Sequence, residues 1–256
     1  PYARYARQDD LGGAYTVIKL LERAAEPVKS ALGARVASFM YAYGFGFGFA
    51  RFWEQRSSSG ERALIASVDG NVTVAGEVCD ADELARFLYA IGYANVMSDV
   101  PLGLENGRKF DVYLLVCDGA GKAHEPPEPH EPHGPPKLPD YRVAYAALAS
   151  EFDMPPFDVW YVDICHRVRH STAVIKQLSG GVAVAAGFEG EWLITGIAVP
   201  EADRRSGIGR ELIHLLAENN GCRRLYAAVK TEAAAEFYRS CGFEKTAEIF
   251  EYGEVK

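Results

Sequence analysis

Two glycines and three arginines in one short stretch have the types and spacing of a phosphate-binding loop. The stretch reads Arg204-Arg205-Ser206-Gly207-Ile208-Gly209-Arg210, between a predicted strand and a predicted amphipathic helix. The start of a helix leaves backbone N–H groups without partners and carries a partial positive charge. Glycine has no Cβ, so a diphosphate can approach these amides closely, and the arginines add charge.

Two familiar phosphate loops do not fit this stretch. A dinucleotide loop needs a third small residue at the end of G-x-G-x-x-G, but Gly209 is followed by Arg210, Glu211 and Leu212. A P-loop needs Gly-Lys followed by Ser or Thr, and that triplet is absent from the stretch.

The arrangement Arg204-x-x-Gly207-x-Gly209 instead resembles motif A of the GNAT superfamily of N-acetyltransferases. A second segment, Glu232–Phe243, resembles motif B, a helix with Phe-Tyr followed by Gly-Phe that enters the last strand. Thr231 stands where the family often has Asn, and its hydroxyl can still cap the helix. The two motifs occur in the family's order, and the resemblance covers about Phe157 to Glu251.

This resemblance implies an acetyl-CoA-dependent N-acetyltransferase. The pantetheine arm would lie along the strand before the loop, and the pyrophosphate would sit on the loop amides. The amine attacks the thioester directly, so no nucleophilic Cys or Ser is required. The expected cofactor contacts are Ile197, Ala198, Val199, Arg204, Arg205, Ser206, Gly207, Ile208, Gly209, Arg210 and Thr231.

Two proton transfers remain, one from the ammonium and one to the departing thiolate. Tyr238 aligns with the family's general acid, and a phenol with a pKa near ~10 suits that task; its alternative is to pack the helix on the sheet. Candidate bases are Glu191, beside the hairpin, and His166, which shares a helix face with Asp163 and His170. The alternatives are a solvated helix face and a chain of waters.

The C-terminal half reads as two helices, a hairpin, and then strand and helix in alternation. This order predicts an α/β (α+β) domain of the GNAT fold, a mixed, mostly antiparallel sheet flanked by helices. The predicted elements are Tyr141–Phe152, Phe157–His170, Thr172–Leu178, Val182–Phe188, Trp192–Val199, Gly207–Asn220, Leu225–Val229, Glu232–Cys241 and Lys245–Tyr252.

The N-terminal half predicts a second, degenerate GNAT-like copy in tandem. Its helix Glu83–Val96 resembles Ala235–Thr246, because both end in Gly-aromatic before a strand, but no Arg-x-x-Gly-x-Gly occurs. The copy is expected to extend the sheet, wall the acceptor cleft or mediate dimerisation. Its predicted elements are a helix from about Tyr15 to Tyr43 split at Pro27 and Gly33, strands Tyr43–Phe49, Ala63–Ser67 and Asn71–Ala75, helix Asp80–Ile91 and strand Phe110–Cys117.

A proline-rich segment, Gly119–Asp140, separates the halves and predicts domains at 1–118 and 141–256. Proline fixes φ and removes donors, so the segment is expected to be an extended linker. Its histidines, at positions 124, 130 and 133, are interpreted as incidental, because a stiff linker does not easily fold three imidazoles around one metal ion. We expect no metal site.

Composition narrows the partners of the chain. Its 256 residues carry a net charge of -8, which disfavours nucleic acid, and the five cysteines have no CxxC or zinc spacing. No apolar run approaches the ~20 residues that span a bilayer, so a cytoplasmic protein is expected. The expected acceptor is a small-molecule or peptide amine, and a homodimer is allowed. The alternative function is a non-catalytic acyl-CoA-binding or sensing module, favoured by Thr231 and by the missing strand glutamate.

Overall fold

The computed structural model describes residues 17–105, 107–117, 139–218 and 221–253. Within these residues, eleven strands form one sheet with helices on both faces. The elements are β1 (Val17–Leu20), α1 (Ala31–Tyr43), β2 (Ala50–Arg56), β3 (Arg62–Val68), β4 (Asn71–Gly76), α2 (Ala81–Ile91), β5 (Asn95–Ser98), β6 (Arg108–Val116), α3 (Tyr141–Ala149), α4 (Phe157–Arg169), β7 (Ala173–Leu178), β8 (Gly181–Phe188), β9 (Glu191–Ala198), a 3-10 helix (Glu201–Asp203), α5 (Ile208–Ala217), β10 (Arg224–Val229), α6 (Glu232–Ser240) and β11 (Glu244–Gly253).

The two halves of the chain exchange their last strands at the centre of the sheet. The strand order is β1-β2-β3-β4-β5-β11-β6-β10-β9-β8-β7. Strand β6 ends the N-terminal half, yet it pairs with β10 and β11 of the C-terminal half. Strand β11 in turn pairs with β5 of the N-terminal half. The backbone hydrogen bonds of each half are therefore completed by the other.

The same unit occurs once in each half. Strands β4 and β5 are parallel and joined through α2, and β9 and β10 are parallel and joined through α5. The other pairings in the described residues are antiparallel, as expected for a mixed, mostly antiparallel sheet. By this topology α2 corresponds to α5. The predicted match of Glu83–Val96 with Ala235–Thr246 is therefore wrong in register, because the second segment belongs to α6.

Helix α1 forms the core between the two halves. Its apolar side chains pack with strands of both, including Leu64 of β3, Leu193 of β9 and Tyr226 of β10. Helices α3 and α4 lie on the same face of the sheet, against β7 and β8. Helices α2, α5 and α6 lie on the opposite face. The face that carries α1 is therefore shared, whereas the opposite face carries a separate cluster for each half.

The predicted first helix is shorter than expected. Part of the segment predicted to be helical forms strand β1 instead. The helix starts only after Ser30, whose hydroxyl accepts a hydrogen bond from the Gly33 amide at 2.9 Å. Gly33 does not split the helix. It lies in the first turn, where glycine is required because a Cβ would come 1.9 Å from the Val28 carbonyl oxygen. Its role is close packing of the chain that enters the helix.

The predicted strand Tyr43–Phe49 is wrong. Helix α1 continues to Tyr43, and Gly44, with φ of 63°, ends it by donating to the Met40 carbonyl at 2.9 Å. The remaining residues form a turn, and the strand begins only at Ala50, which pairs with Val68. Gly46 and Gly48 have open space around them, so neither glycine serves a close approach of another segment.

The order of elements predicted for the C-terminal half is confirmed, with ends that differ by a few residues. Strands β2 and β5 were not predicted. The proline-rich segment and its histidines lie outside the described residues, so the linker and the domain boundaries stay predictions. No helix in the part of the chain that the structure describes is long and apolar enough to cross a membrane.

Candidate functional site

Strands β9 and β10 pair at their beginnings and then separate. Their parallel pairing runs from Glu191 and Arg224 to Ile194 and Ala227. At Thr195 the register of β9 with β8 shifts, so this residue is the extra one of a β-bulge. Past Ile194, the edge of β9 that faces β10 has no strand partner among the described residues. The result is an opening between the two strands.

The loop that follows β9 delivers an uncapped helix to this opening. Arg205 and Gly207 both have positive φ, 63° and 93°, and Gly207 is the N-cap of α5. No side chain caps the helix, and the Glu211 amide is the first to donate back, to the Gly207 carbonyl at 3.1 Å. The amides of the first turn therefore have no helical partner. They form an anion-binding end.

The two positions of this loop are glycine for different structural reasons. A Cβ on Gly207 would meet no atom within 4 Å, so its side of the loop is open, and its positive φ disfavours other residues. A Cβ on Gly209 would come 3.2 Å from the ring of Phe237. Gly207 thus keeps the mouth of the site clear, and Gly209 lets α5 pack against α6.

A cavity of about 560 Å³ connects the loop with the free edge of β9. Most of the residues predicted to contact the cofactor line it, both those of the β9 end and those of the loop. The cavity is lined by Glu151, Ile197, Ala198, Val199, Asp203, Arg204, Arg205, Gly207, Gly209, Arg210, Phe237 and Ser240.

The arginines of the loop are not equivalent. Arg204 donates from Nε to the Val199 carbonyl at 3.1 Å and pairs with Glu151, so it fastens the loop to β9 and α3. Arg205 and Arg210 form no ion pair with a carboxylate in the described residues. These two cations are therefore available to a phosphate.

The corresponding position in the N-terminal half is closed. The Asp80 carboxylate caps α2 by accepting from the Glu83 amide at 2.8 Å. The buried Gln55 side chain accepts from the Cys79 amide at 3.0 Å and donates to the Asp80 carbonyl at 2.9 Å. The third amide of the helix, which has no side-chain cap at α5, is thus already paired at α2.

Tyr238 lies beside the cavity rather than in its lining. Its side chain is only 7% exposed and meets Phe237 and Phe243 edge to face. Burial raises the pKa of Tyr238 above its ordinary value, so the phenol stays protonated at neutral pH. Its hydroxyl makes no hydrogen bond within the described residues.

The two predicted bases both have structural partners, and neither lines the cavity. Glu191 accepts from the Tyr226 hydroxyl at 2.9 Å and pairs with Arg224 at 2.8 Å, at the paired end of β9. His166 donates from Nε2 to the Ala42 carbonyl at 2.7 Å, on the contact between α4 and α1.

Thr231 is the N-cap of α6, and its hydroxyl accepts a hydrogen bond from the Ala234 amide at 3.3 Å. It does not line the cavity. Glu151 and Asp203, which do line it, were not predicted. No sequence signal links Glu151 of the α3 end to Arg204, because the contact forms only when the two segments pack.

Comparison with known proteins agrees with this geometry. The family of the Acetyltransferase (GNAT) domain matches residues 166–245, a span that includes the loop and α6. No curated protein matches the sequence significantly.

Solved structures show the same fold at low sequence identity. A GCN5-related N-acetyltransferase from Sphaerobacter thermophilus is 18% identical over 93% of this chain and 95% of its own, with a TM-score of 0.51. A tandem GNAT protein from the clavulanic acid biosynthesis pathway is 12% identical over 94% and 100%, with a TM-score of 0.50. A putative GNAT-family acetyltransferase from Novosphingobium aromaticivorans is 14% identical over 89% and 100%, with a TM-score of 0.50.

These likenesses establish a fold, and the domain match assigns residues 166–245 to the GNAT domain. The structural neighbours span nearly the whole chain, one of them a tandem protein, which fits the two related units seen in the sheet. The GNAT family is one of acyl-CoA-dependent acetyltransferases. Residues 166–245 therefore match a GNAT acetyltransferase domain, and the chain as a whole has the GNAT fold.

Proposed function

We propose that this chain transfers an acetyl group from acetyl-CoA to a primary amine by direct attack. The observation that carries the proposal is the uncapped start of α5, which opens into the cavity along the free edge of β9. A diphosphate suits the free amides, and an extended amide-containing arm suits an unpaired strand edge.

In this proposal the cofactor binds in two segments. Its pyrophosphate accepts hydrogen bonds from the first-turn amides of α5 and charge from Arg205 and Arg210. Its pantetheine arm pairs with β9 around Ile197, since Arg204 already holds the Val199 carbonyl. The thioester then lies in the opening between β9 and β10, where Thr195 and Ala228 are exposed.

The proton steps use few groups. Attack of the neutral amine on the thioester carbon forms the amide bond and expels the CoA thiolate. Tyr238, kept protonated by burial, donates a proton to that thiolate. The amine loses its own proton to water in the opening, because Glu191 and His166 are committed to contacts elsewhere.

Gly207→Ala tests the cofactor site, and Gly60→Ala is its matched control. Gly60, in the turn between β2 and β3, has a φ of 99° and, like Gly207, open space around its Cα. Both variants bear the same backbone strain, of about 1–2 kcal/mol. Only Gly207→Ala places a methyl group where the pyrophosphate would lie. We expect its acetyl-CoA Kd in calorimetry to rise about tenfold or more, with Gly60→Ala unchanged.

Turnover is measured on the acetylated amine by mass spectrometry, because the five cysteines of the chain react with thiol reagents. Absence of acetyl-CoA binding by the folded wild type would overturn the proposal. A second candidate, an acyl-CoA-binding module without catalysis, is favoured by the position of Tyr238 outside the cavity lining. Tight acetyl-CoA binding with no product from any amine would support that second candidate instead.

A further inference from the structure

Two arginines from different halves of the chain share one aromatic ring. The guanidinium of Arg35, on α1, lies 5.4 Å from the ring centre of Phe39. The guanidinium of Arg167, on α4, lies 5.2 Å from the same ring centre. The Nε atoms of both arginines are buried and have no hydrogen-bond partner. Two like charges are thus held together with donors unused.

Arg35 has no carboxylate partner. It forms no ion pair within the described residues, whereas Arg167 has one, with Asp163 at 3.4 Å. Burial and repulsion from Arg167 lower the pKa of Arg35 to about 10, and attraction to Glu251 opposes this shift. Glu251 is itself held by Asn95 at 3.1 Å and by Lys230 at 3.9 Å. A half-buried cation without a carboxylate partner is costly, so its retention calls for a reason.

The pair lies on the face of the sheet that carries both α1 and α4. Helix α1 covers this face and packs with Leu193 of β9 and Tyr226 of β10. Lys230, which contacts Glu251, follows directly after β10, at the end where the two strands separate. Arg35 is close enough to Glu251 to feel its charge. Arg35 thus lies near the end of β10 at which the two strands separate.

We propose that Arg35 and Arg167 bind an anionic group, a carboxylate or a phosphate, on the acyl acceptor, so that the substrate is an amine that also carries negative charge. The proposal rests on the acetyl transfer proposed above. Guanidinium groups present planar pairs of N–H donors that match both anions, and the Phe39 ring beneath them fixes their positions. An anion would supply the partner that neither the helix nor the sheet provides.

The test separates a binding role from a structural one through Arg35→Met. This variant keeps an unbranched, apolar side-chain stem and removes the guanidinium and its charge. Arg142→Met is the matched control, since Arg142 also lies over a phenyl ring, that of Phe157 at 4.8 Å, but is exposed. We expect the melting temperature of Arg35→Met to equal or exceed that of the wild type, because a half-buried charge without a carboxylate partner is lost.

Paired probes then identify the charge. Alanine is compared with alaninamide, and O-phosphoethanolamine with ethanolamine, by kcat/KM and by thermal shift in the presence of CoA. We expect the wild type and Arg142→Met to prefer one anionic probe over its neutral partner by about tenfold or more. The probe pair that shows the preference identifies the bound group as a carboxylate or a phosphate. Arg35→Met should lose the preference while its acetyl-CoA Kd stays unchanged.

Three results would overturn the anion site: a wild type without preference for either charged probe, an Arg35→Met variant that keeps the preference, or a large drop in its melting temperature. Acetylation of neutral amines that is indifferent to Arg35 would leave the proposed transferase standing and remove this site alone. A charge-dependent thermal shift without any turnover would support the site and count against the transferase.

Discussion

Tyr238 shows how one residue can satisfy two requirements. Its ring fills the cluster that joins α5 and α6 to the sheet, and its hydroxyl has no partner within the described residues. The hydroxyl is not among the fully buried polar atoms that lack a partner, so it keeps some exposure and is free to meet a group outside the core.

Tyr238→Phe tests this at the residue scale. We expect kcat to fall about 10²-fold with the acetyl-CoA Kd unchanged, because a general acid contributes 10²–10⁴-fold. Burial raises the pKa of Tyr238, so the wild-type kcat should not fall on the alkaline side below about pH 10, the ordinary tyrosine value. Stopped product assays across pH would measure both.

Tyr252→Phe is the control for that prediction. Tyr252 is also buried, but its hydroxyl accepts from the Leu102 amide at 2.8 Å, far from the cavity. Its loss should reduce stability by about 1 kcal/mol and leave kcat intact. A Tyr238→Phe variant with full activity would assign Tyr238 to packing alone.

At the scale of elements, the Asp163-x-x-His166 face of α4 is a helix–helix contact. Asp163 accepts from the hydroxyl of Tyr43, and His166 stacks on the Tyr43 ring at 5.5 Å. Both residues thereby hold α4 against the end of α1. The two residues do share one face of the helix, as their spacing predicts, but they contact residues in the other half of the chain.

The start of α1 is tied to the sheet by Asp99. Its carboxylate accepts from the Ser30 hydroxyl at 2.6 Å and from the Gly76 amide at 3.0 Å. Burial raises the pKa of Asp99, and these hydrogen bonds offset the effect only in part. The folded state therefore binds this proton more tightly than the unfolded state, and stability from this group falls as pH rises through the folded pKa.

Asp99→Asn keeps an oxygen acceptor without the charge. We expect the variant to be more stable than the wild type at pH 8, with the difference shrinking below about pH 4, where the unfolded carboxyl is protonated too. Urea denaturation at both pH values measures this. Asp153→Asn, at an exposed residue, controls for the loss of one charge. A wild type that gains stability over Asp99→Asn as pH rises would contradict the prediction.

At the scale of the whole molecule, the exchange of β6 and β11 makes the two halves one sheet. Without β6, strand β10 would lose its pairing from Arg224 to Val229, and β11 would lose one of its two neighbours. Unpaired backbone groups at the centre of a sheet are costly. Helix α1 adds apolar contacts to strands of both halves.

A protease site placed within residues 119–138 tests this sharing. After cleavage we expect the two fragments to co-elute in size-exclusion chromatography and to unfold in one transition, because each completes the other's hydrogen bonds. Fragments that separate without denaturant, or that melt in two steps, would show independent domains. An uncut sample of the same variant is the control.

The local part of the fold could be predicted from the sequence, and the long-range part could not. Gly207, Gly209 and the apolar spacing of α5 are neighbours in the chain, so their strand–loop–helix context was readable. The alternation of Phe45, Phe47 and Phe49 has the period of a strand, yet the residues form a turn. The alternation alone could not exclude a turn, because a segment becomes a strand only when a neighbouring strand pairs with it.

The sequence by itself determined the strand–loop–helix context of Gly207 and Gly209 and the resemblance to the GNAT superfamily, since these depend on backbone freedom and spacing within a few turns of chain. The tertiary structure alone decided which strands pair, that Glu191 and His166 are held by structural partners, and that Arg35 has no carboxylate partner within the described residues. Each of these depends on residues far apart in sequence. Their contacts are fixed by packing and by completion of the sheet, which no local pattern records.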